Sequence, residues 1–415
     1  MRLFLNTLTW VIFMSTVSVP SAQGQAMIAH ELFDSYPTYR LDEISSRRFT
    51  QADMMRWLGP LRGPGGCEVA PIGESAEGRS ISLLKLGRGK TKVLIWSQMH
   101  GDESTATMAI LDMLSFFAKA AQHPVAAAIT ERLTLLMIPM LNPDGAERFE
   151  RRTAQVVDMN RDALALRTPE ARALRGVCDN YRPEFGFNLH DQDPRNTVGS
   201  TKQVSAIALL APAFDEPRSS NRVRSEAVKV VATFAAVMQE FIPKNIAKYD
   251  DTFEPRAFGD NMQKWGTSTV LVESGGWPGD QEKVFLRKLN YAGLLTTLYA
   301  LATGEYQRAD VRVYEGLPFN TEYIYDLIVR NATLKPNDRT PAITVDIGIN
   351  IDEETDPKTG VVRPVGKVVD IGDLSTFISF EEIDMGHAQV SDLIRQIDQQ
   401  VSMEEIDMLK LRKQK

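Results

Sequence analysis

Between residues 78 and 303, short apolar runs alternate with longer stretches of helical periodicity. This pattern predicts strands at about 78–87, 92–99, 133–140, 184–190, 204–211 and 268–273, and helices at about 104–120, 168–178, 221–241 and 280–303. Fully apolar strands are typical of sheets covered on both faces, and alternating strands and helices favour an α/β fold. We therefore predict an α/β domain with a mixed, mainly parallel twisted sheet and helices on both faces.

The pattern changes near residue 304. Beyond it lie short alternating runs at 323–329, 343–351 and 366–371, and a charged stretch at 390–415 that predicts a terminal helix. We assign residues 27–307 to the main domain and 308–415 to a small β-rich C-terminal domain with a terminal helix. The sequence of this second domain indicates no particular chemistry.

The first 26 residues are typical of a secretory signal peptide. Arg2 precedes an apolar stretch from Leu3 to Val19, and small residues at 22–24 or 24–26 form candidate cleavage sites. We therefore expect an exported protein, periplasmic or secreted. The alternative is an uncleaved membrane anchor, although the apolar run is short for a spanning helix.

Composition narrows the set of partners. The chain has 415 residues, 24% of them charged, and a formal net charge of -7, so it lacks the basic footprint of a nucleic-acid-binding protein. No membrane association is expected beyond the export signal, and the oligomeric state is left open. Cys67 and Cys178 permit one disulfide without requiring it, and neither has a ligand-spaced neighbour that would suggest a cysteine zinc site.

Polar residues with catalytic potential follow four predicted strands. His100 and Glu103 follow the first of these strands, and a histidine three residues from a carboxylate can bind one cation and leave coordination positions for water. The other segments contain Asn142-Pro143-Asp144-Gly145 with the downstream stretch 151–162, then His190, then Glu273. Functional sites in α/β sheets gather at the carboxyl ends of strands, so we expect these segments to meet.

In this order, the motifs HxxE, NPDG, an arginine, DxNR, a histidine after a strand and a glutamate after a strand resemble the zinc carboxypeptidases of family M14. The resemblance extends from about Ile72 to Leu301. It implies a carboxypeptidase-like fold, one Zn²⁺ per chain and hydrolysis of an amide bond near the C-terminus of a peptide. Cell-wall peptides and ordinary peptides are both candidate substrates.

The resemblance also implies individual roles. His100, Glu103 and His190 would bind zinc, and Glu273 would be the general base that takes a proton from zinc-activated water. In the DxNR motif, Asp158 would orient His100, and Asn160 and Arg161 would bind the terminal carboxylate. Arg151 or its competitor Arg152 would polarise the carbonyl, and Tyr249 would contact substrate.

One departure concerns the residue after Arg161. The family often has Asn-Arg-Asn, whereas this chain has Asp162 in the last position, which adds a negative charge near the carboxylate-binding pair. This charge would weaken the binding of a simple terminal carboxylate.

Two other functions remain open from the sequence. The first is a zinc deacylase of N-acyl amino acids, of the aspartoacylase or succinylglutamate desuccinylase type, which shares HxxE and DxNR. The second is an inactive relative that binds peptide or glycan in the same cleft. The NPDG motif and the export signal favour a peptidase over the deacylase.

Overall fold

The computed structural model describes residues 22–63, 66–355 and 362–412. Eight strands form the larger sheet, in the order β1-β2-β4-β3-β5-β9-β7-β8. Their bounds are β1 Glu68–Glu74, β2 Ser80–Leu86, β3 Thr91–Trp96, β4 Leu133–Ile138, β5 Phe185–Asp191, β7 Ile207–Leu210, β8 Ile246–Lys248 and β9 Ser268–Ser274. The pairs β3·β4, β3·β5, β5·β9 and β7·β8 are parallel, and the other three pairs are antiparallel.

Helices cover both faces of this sheet because alternate residues of each central strand point to opposite sides. In β3, Val93 and Ile95 pack with the helices of one face, while Leu94 and Trp96 pack with those of the other. The helices of the first face are α1 Ala22–Tyr39, α2 Gln51–Leu58, α3 Thr105–Lys119, α4 Pro124–Arg132, α7 Arg222–Phe241 and α9 Val284–Thr303. Those of the second are α6 Pro169–Tyr181 and α8 Phe258–Trp265. The predicted fold class is confirmed.

The second sheet has five strands in the order β14-β11-β12-β13-β15, and all its pairs are antiparallel except β11·β14. Its strands are β11 Ile324–Leu334, β12 Ile343–Thr355, β13 Val362–Gly372, β14 Ile378–Asp384 and β15 Gln400–Val401. The terminal helix α11 is shorter than predicted, Met403–Arg412, because Val390 and Ile394 are buried in the core of this unit by a turn rather than by a helix. The sequence analysis missed β14.

The segment between the two sheets packs on the larger unit. The short helix α10, Arg312–Glu315, contacts α7, and β10, Asn320–Glu322, pairs with β6, Asn196–Val198. The remaining helix, α5, spans Pro143–Arg148. The domain boundary at residue 307 stays a prediction.

The apolar part of the predicted signal peptide lies outside the described residues. The candidate cleavage positions at 22–26 form the start of α1. Among the described residues, no helix combines the length and the apolar composition required to cross a bilayer. Cys67 and Cys178 are free and buried in the cores of opposite faces, so the permitted disulfide does not form.

Candidate metal centre and substrate cleft

Three side chains converge at the carboxyl ends of β3 and β5. His100 and Glu103 lie in the loop between β3 and α3, and His190 lies near the end of β5. His100 Nδ1 is 2.7 Å from Glu103 Oε1, and His190 Nδ1 is 2.6 Å from Glu103 Oε2. All three side chains are buried, and their ligand atoms lie within 4.8 Å of one another.

The NPDG turn fixes the loop that carries His100. The backbone N–H of Asn142 donates to the carbonyl of Gln98, and the Asn142 side chain accepts from the N–H of Gly145. A Cβ on Gly101 would lie only 2.0 Å from the backbone of Gly145, so the two loops can meet only because a glycine stands there. The motif therefore positions the loop rather than contributing a ligand.

Asp158 and Arg151 complete the surroundings of His100. His100 Nε2 donates to Asp158 Oδ1 at 3.1 Å, while Arg151 Nε and Nη2 both donate to Asp158 Oδ2. Burial lowers the pKa of His100, but the charge of Glu103 and the hydrogen bonds to Asp158 and Glu103 outweigh it, so the pKa rises to about 9. Arg152 instead donates to the carbonyl of Val156 at the surface, so Arg151 is the arginine that reaches the cluster.

The donor set fits zinc. Two imidazole nitrogens and one carboxylate are the ligands typical of a catalytic zinc site with an open position. His100 Nδ1 lies beside Glu103 Oε1 and Arg151 Nη1, and Nε2 lies beside Asp158 Oδ1. A cation could bind at Nδ1, while an N–H on Nε2 stays bound to Asp158 and keeps the ring oriented.

Glu273 lies beside this cluster. It is directly opposite His190 in the parallel pairing of β5 and β9, and it is buried. Burial, and then the negative charges of Glu103 and Asp191, raise the pKa of Glu273 well above its usual range. Within the described residues, no side chain or backbone group hydrogen-bonds to its carboxylate, so the group is available to a substrate or to water.

Sequence reasoning missed Lys283, which lies behind Glu273. Its buried ammonium donates to the carbonyl of Gly275 at 2.5 Å and lies 4.0 Å from Asp191 Oδ2. Lys283 therefore ties together the ends of the strands that carry His190 and Glu273. A lysine at the start of a helix gives no such indication in the sequence, because such a residue is normally solvated.

Asn160 and Arg161 lie on a 3₁₀ turn, Met159–Arg161, directly after Asp158. The Asn160 side chain accepts from the backbone N–H of Phe258, and Arg161 Nε lies 3.2 Å from Glu254 Oε2. Asp162 is buried and accepts from the N–H of Arg167 and from the N–H and hydroxyl of Thr168. Its charge is therefore held by the start of α6, and the expected effect of that charge on the carboxylate-binding pair is not supported by the geometry.

Tyr249 follows β8, and its ring packs against Val198, Ala208 and Ala247. The charge of Glu273, followed by burial, raises the pKa of the Tyr249 hydroxyl, which places this residue beside the cluster. Tyr249 also lines a groove of about 570 Å³ whose other walls include Asn196 and Asp250 of the larger unit and Tyr323 and Phe377 of the second. Residues of both units therefore line this groove.

Comparison with known proteins places the site in context. Residues 54–210 match the family model described as zinc carboxypeptidase. Probable carboxypeptidase 2 of Arthroderma benhamiae is 28% identical over 152 residues, which cover 34% of this chain and 28% of the relative. Cytosolic carboxypeptidase 6 of Homo sapiens is 21% identical over 274 residues, covering 63% of this chain and 47% of the relative. The chain thus spans less than half the length of either relative it matches.

A solved structure shows the same fold. The metallo-carboxypeptidase from Pseudomonas aeruginosa in complex with (2-guanidinoethylmercapto)succinic acid superimposes with a TM-score of 0.50 at 17% identity. The superposition covers 61% of this chain and 70% of that one. The carboxypeptidase-like sheet expected from the sequence motifs is therefore confirmed.

Proposed function

We propose that this protein is a metallocarboxypeptidase of family M14 that hydrolyses an amide bond near the C-terminus of a peptide, and the match of residues 54–210 to the zinc carboxypeptidase model supports this. One observation carries the proposal. The nitrogens of His100 and His190 converge on Glu103, and the free, buried carboxylate of Glu273 lies beside them. This arrangement supplies a cation site and a base on one edge of the sheet.

The chemistry divides between the metal and the chain. Bound by His100, Glu103 and His190, zinc would polarise a carbonyl oxygen and lower the pKa of water. Glu273 accepts the proton of the attacking water and returns it to the departing amine. Burial and the charges of Glu103 and Asp191 raise the pKa of Glu273, so its carboxylate is a stronger base than a solvated glutamate.

The other residues bind and orient the substrate. Arg161 and Asn160 face the terminal carboxylate, since a guanidinium presents a fork that matches carboxylate oxygens. Arg151 supplies a permanent positive charge for the developing oxyanion, held in place by Asp158. Tyr249, which also lines the groove, contacts the substrate.

The substitution Glu273→Gln tests the proposal. It preserves the shape and removes the base, so we expect kcat on a peptide substrate to fall by about 10²- to 10⁴-fold while zinc content stays at one per chain. Peptides, muropeptides and N-acyl amino acids are incubated with both forms, and the cleaved bond is identified by mass spectrometry.

Wild-type turnover by Glu273→Gln would contradict the assigned base. Cleavage of N-acyl amino acids with no cleavage of peptides would instead favour the deacylase. An absence of turnover on every substrate, with zinc bound, would favour the inactive relative.

Export belongs to the same proposal and is supported by the sequence of residues 1–26. We expect the protein isolated from its native cells to begin after residue 24 or 26. N-terminal sequencing by mass spectrometry checks this, and a protein that begins at Met1 would count against a cleaved signal.

A further inference from the structure

The proposed carboxylate-binding arginine already has a carboxylate partner within the chain. Arg161 Nε lies 3.2 Å from Glu254 Oε2, and the two side chains are 40% and 28% exposed. The pair is thus partly exposed rather than sealed in the core. A terminal carboxylate that binds Arg161 must compete with Glu254.

Glu254 is held firmly in this position. Arg256 donates to Glu254 Oε1 from Nε at 2.9 Å and to Oε2 from Nη2 at 2.8 Å, and the backbone N–H of Arg256 also donates to Oε1. Hydrogen bonds from Arg256 and the charge of Arg161 lower the pKa of Glu254 to about 2. Glu254 therefore carries its negative charge at neutral pH.

The surrounding loop is anchored to the same turn. The backbone N–H of Phe258 donates to the Asn160 side chain at 2.9 Å, and the backbone N–H of Glu254 donates to Asp260 Oδ1 at 3.1 Å. In addition, the N–H of Ala163 donates to the carbonyl of Arg256. Hydrogen bonds therefore hold the backbone of both segments, the one that carries Glu254 and the one that carries Arg161, in position for this contact.

We propose that Glu254 is a specificity-determining residue that occupies Arg161 and lowers the affinity of the cleft for a simple terminal carboxylate. The inference rests on the proposed function and deepens it. A substrate carboxylate must displace Glu254 or share the guanidinium with it, and two carboxylates at one arginine repel each other. Peptides with a free terminal carboxylate therefore bind weakly. Contacts with other residues of the cleft then determine which substrate binds.

The test is Glu254→Gln, which keeps the size of the side chain and removes its charge. For a peptide with a free C-terminal carboxylate we expect KM to fall about two- to fivefold, the range for a partly exposed ion pair, with kcat little changed. Glu254→Asp retains the charge and should stay closer to wild type. Glu216→Gln, which removes an exposed charge elsewhere, is the matched control and should leave KM unchanged.

Binding without turnover separates this inference from the proposed function. The dissociation constants of N-acetyl-phenylalanine and of its amide are measured by calorimetry on the zinc-loaded protein. Glu254→Gln should tighten binding of the acid about two- to fivefold and leave the amide unchanged, and the gain should vanish when Arg161→Met is added.

Equal affinity of wild type and Glu254→Gln for the acid would overturn the inference, as would a gain that survives Arg161→Met. Absence of peptide turnover by the wild-type protein would count against the proposed function alone, because the binding comparison does not depend on turnover.

Discussion

At the scale of single residues, Asp158 orients the ring of His100. Its two oxygens are shared between His100 Nε2 and the guanidinium of Arg151. The charge of Asp158 thus keeps a proton on Nε2 and leaves Nδ1 directed towards Glu103. The same carboxylate holds the arginine proposed to stabilise the oxyanion, so one side chain supports two roles.

Asp158→Asn should therefore weaken zinc binding by about 10- to 100-fold, the cost typical of losing a hydrogen-bond partner behind a metal ligand. Zinc affinity is measured by competition with a chromogenic chelator. Asp250→Asn, an exposed residue of the neighbouring groove, is the control and should retain wild-type affinity. Unchanged affinity in Asp158→Asn would show that the NPDG contacts alone orient the ring.

Much of this site was predictable from the sequence, because many of its residues lie in short motifs. His100 and Glu103 lie in one short motif after β3, and the role of Asp158 was implied by the resemblance of the DxNR motif to the zinc carboxypeptidases. Glu254 was missed because its pairing with Arg161 joins segments far apart in the chain, and no spacing rule indicates such a contact. The contacts of Asp162 with Arg167 and Thr168 are local in sequence, but they were also missed because they form only where the chain turns into α6.

At the scale of elements, α1, α3 and α9 are joined by a buried ion pair. Arg287 of α9 donates to both oxygens of Asp112 in α3, and the two side chains are 3% and 0% exposed. Tyr36 of α1 donates its hydroxyl to Asp112, and Arg287 also donates to the carbonyls of Leu41 and Ile44. Buried hydrogen bonds and an ion pair thus hold the segment after α1 against α3 and α9 inside an apolar core.

Arg287→Met should lower the free energy of unfolding by about 3–5 kcal/mol, because it leaves Asp112 as an uncompensated buried charge. Chemical denaturation followed by circular dichroism measures the change. Adding Asp112→Asn removes that charge and should recover part of the loss. If the double variant is no more stable than Arg287→Met, the cost comes from the carbonyls of Leu41 and Ile44 instead.

The elements themselves were largely predictable, because strands buried on both faces and helices with an apolar face have distinct periods. The prediction failed where packing replaced periodicity. The stretch from Val390 was predicted as a helix since its charges and apolar residues suit one, but tertiary contacts bury Val390 and Ile394 in a turn before α11 begins.

At the scale of the whole molecule, the two sheets are joined next to the metal centre. Arg195, in the loop after β5, donates to Asp326 of β11 and to Asp352 and the carbonyl of Ile351 in β12. Its side chain is only 11% exposed. A second contact places Glu353 within 2.7 Å of Arg47 and 2.5 Å of Arg48.

Arg195→Met should loosen this junction, because Asp326 loses its main donor. We expect faster hydrogen exchange around Asp326 in β11 and Asp352 in β12, because the free energy of local opening should fall by about 2–5 kcal/mol. Strands β3 and β4 should keep wild-type protection. Mass spectrometry of exchanged peptides measures it. Arg312→Met is the control, since the side chain of Arg312 pairs with that of its exposed neighbour Asp310. Equal exchange in both variants would show that the junction depends on other contacts.

The pairing of His190 with Glu273 depends on the register of β9 against β5. Successive residues of a strand point to opposite faces of the sheet. A shift of β9 by one position against β5 would therefore direct Glu273 to the opposite face and place Val272 or Ser274 beside His190. A single residue inserted into β9 before Glu273 should therefore abolish the proposed activity even in a chain that still folds.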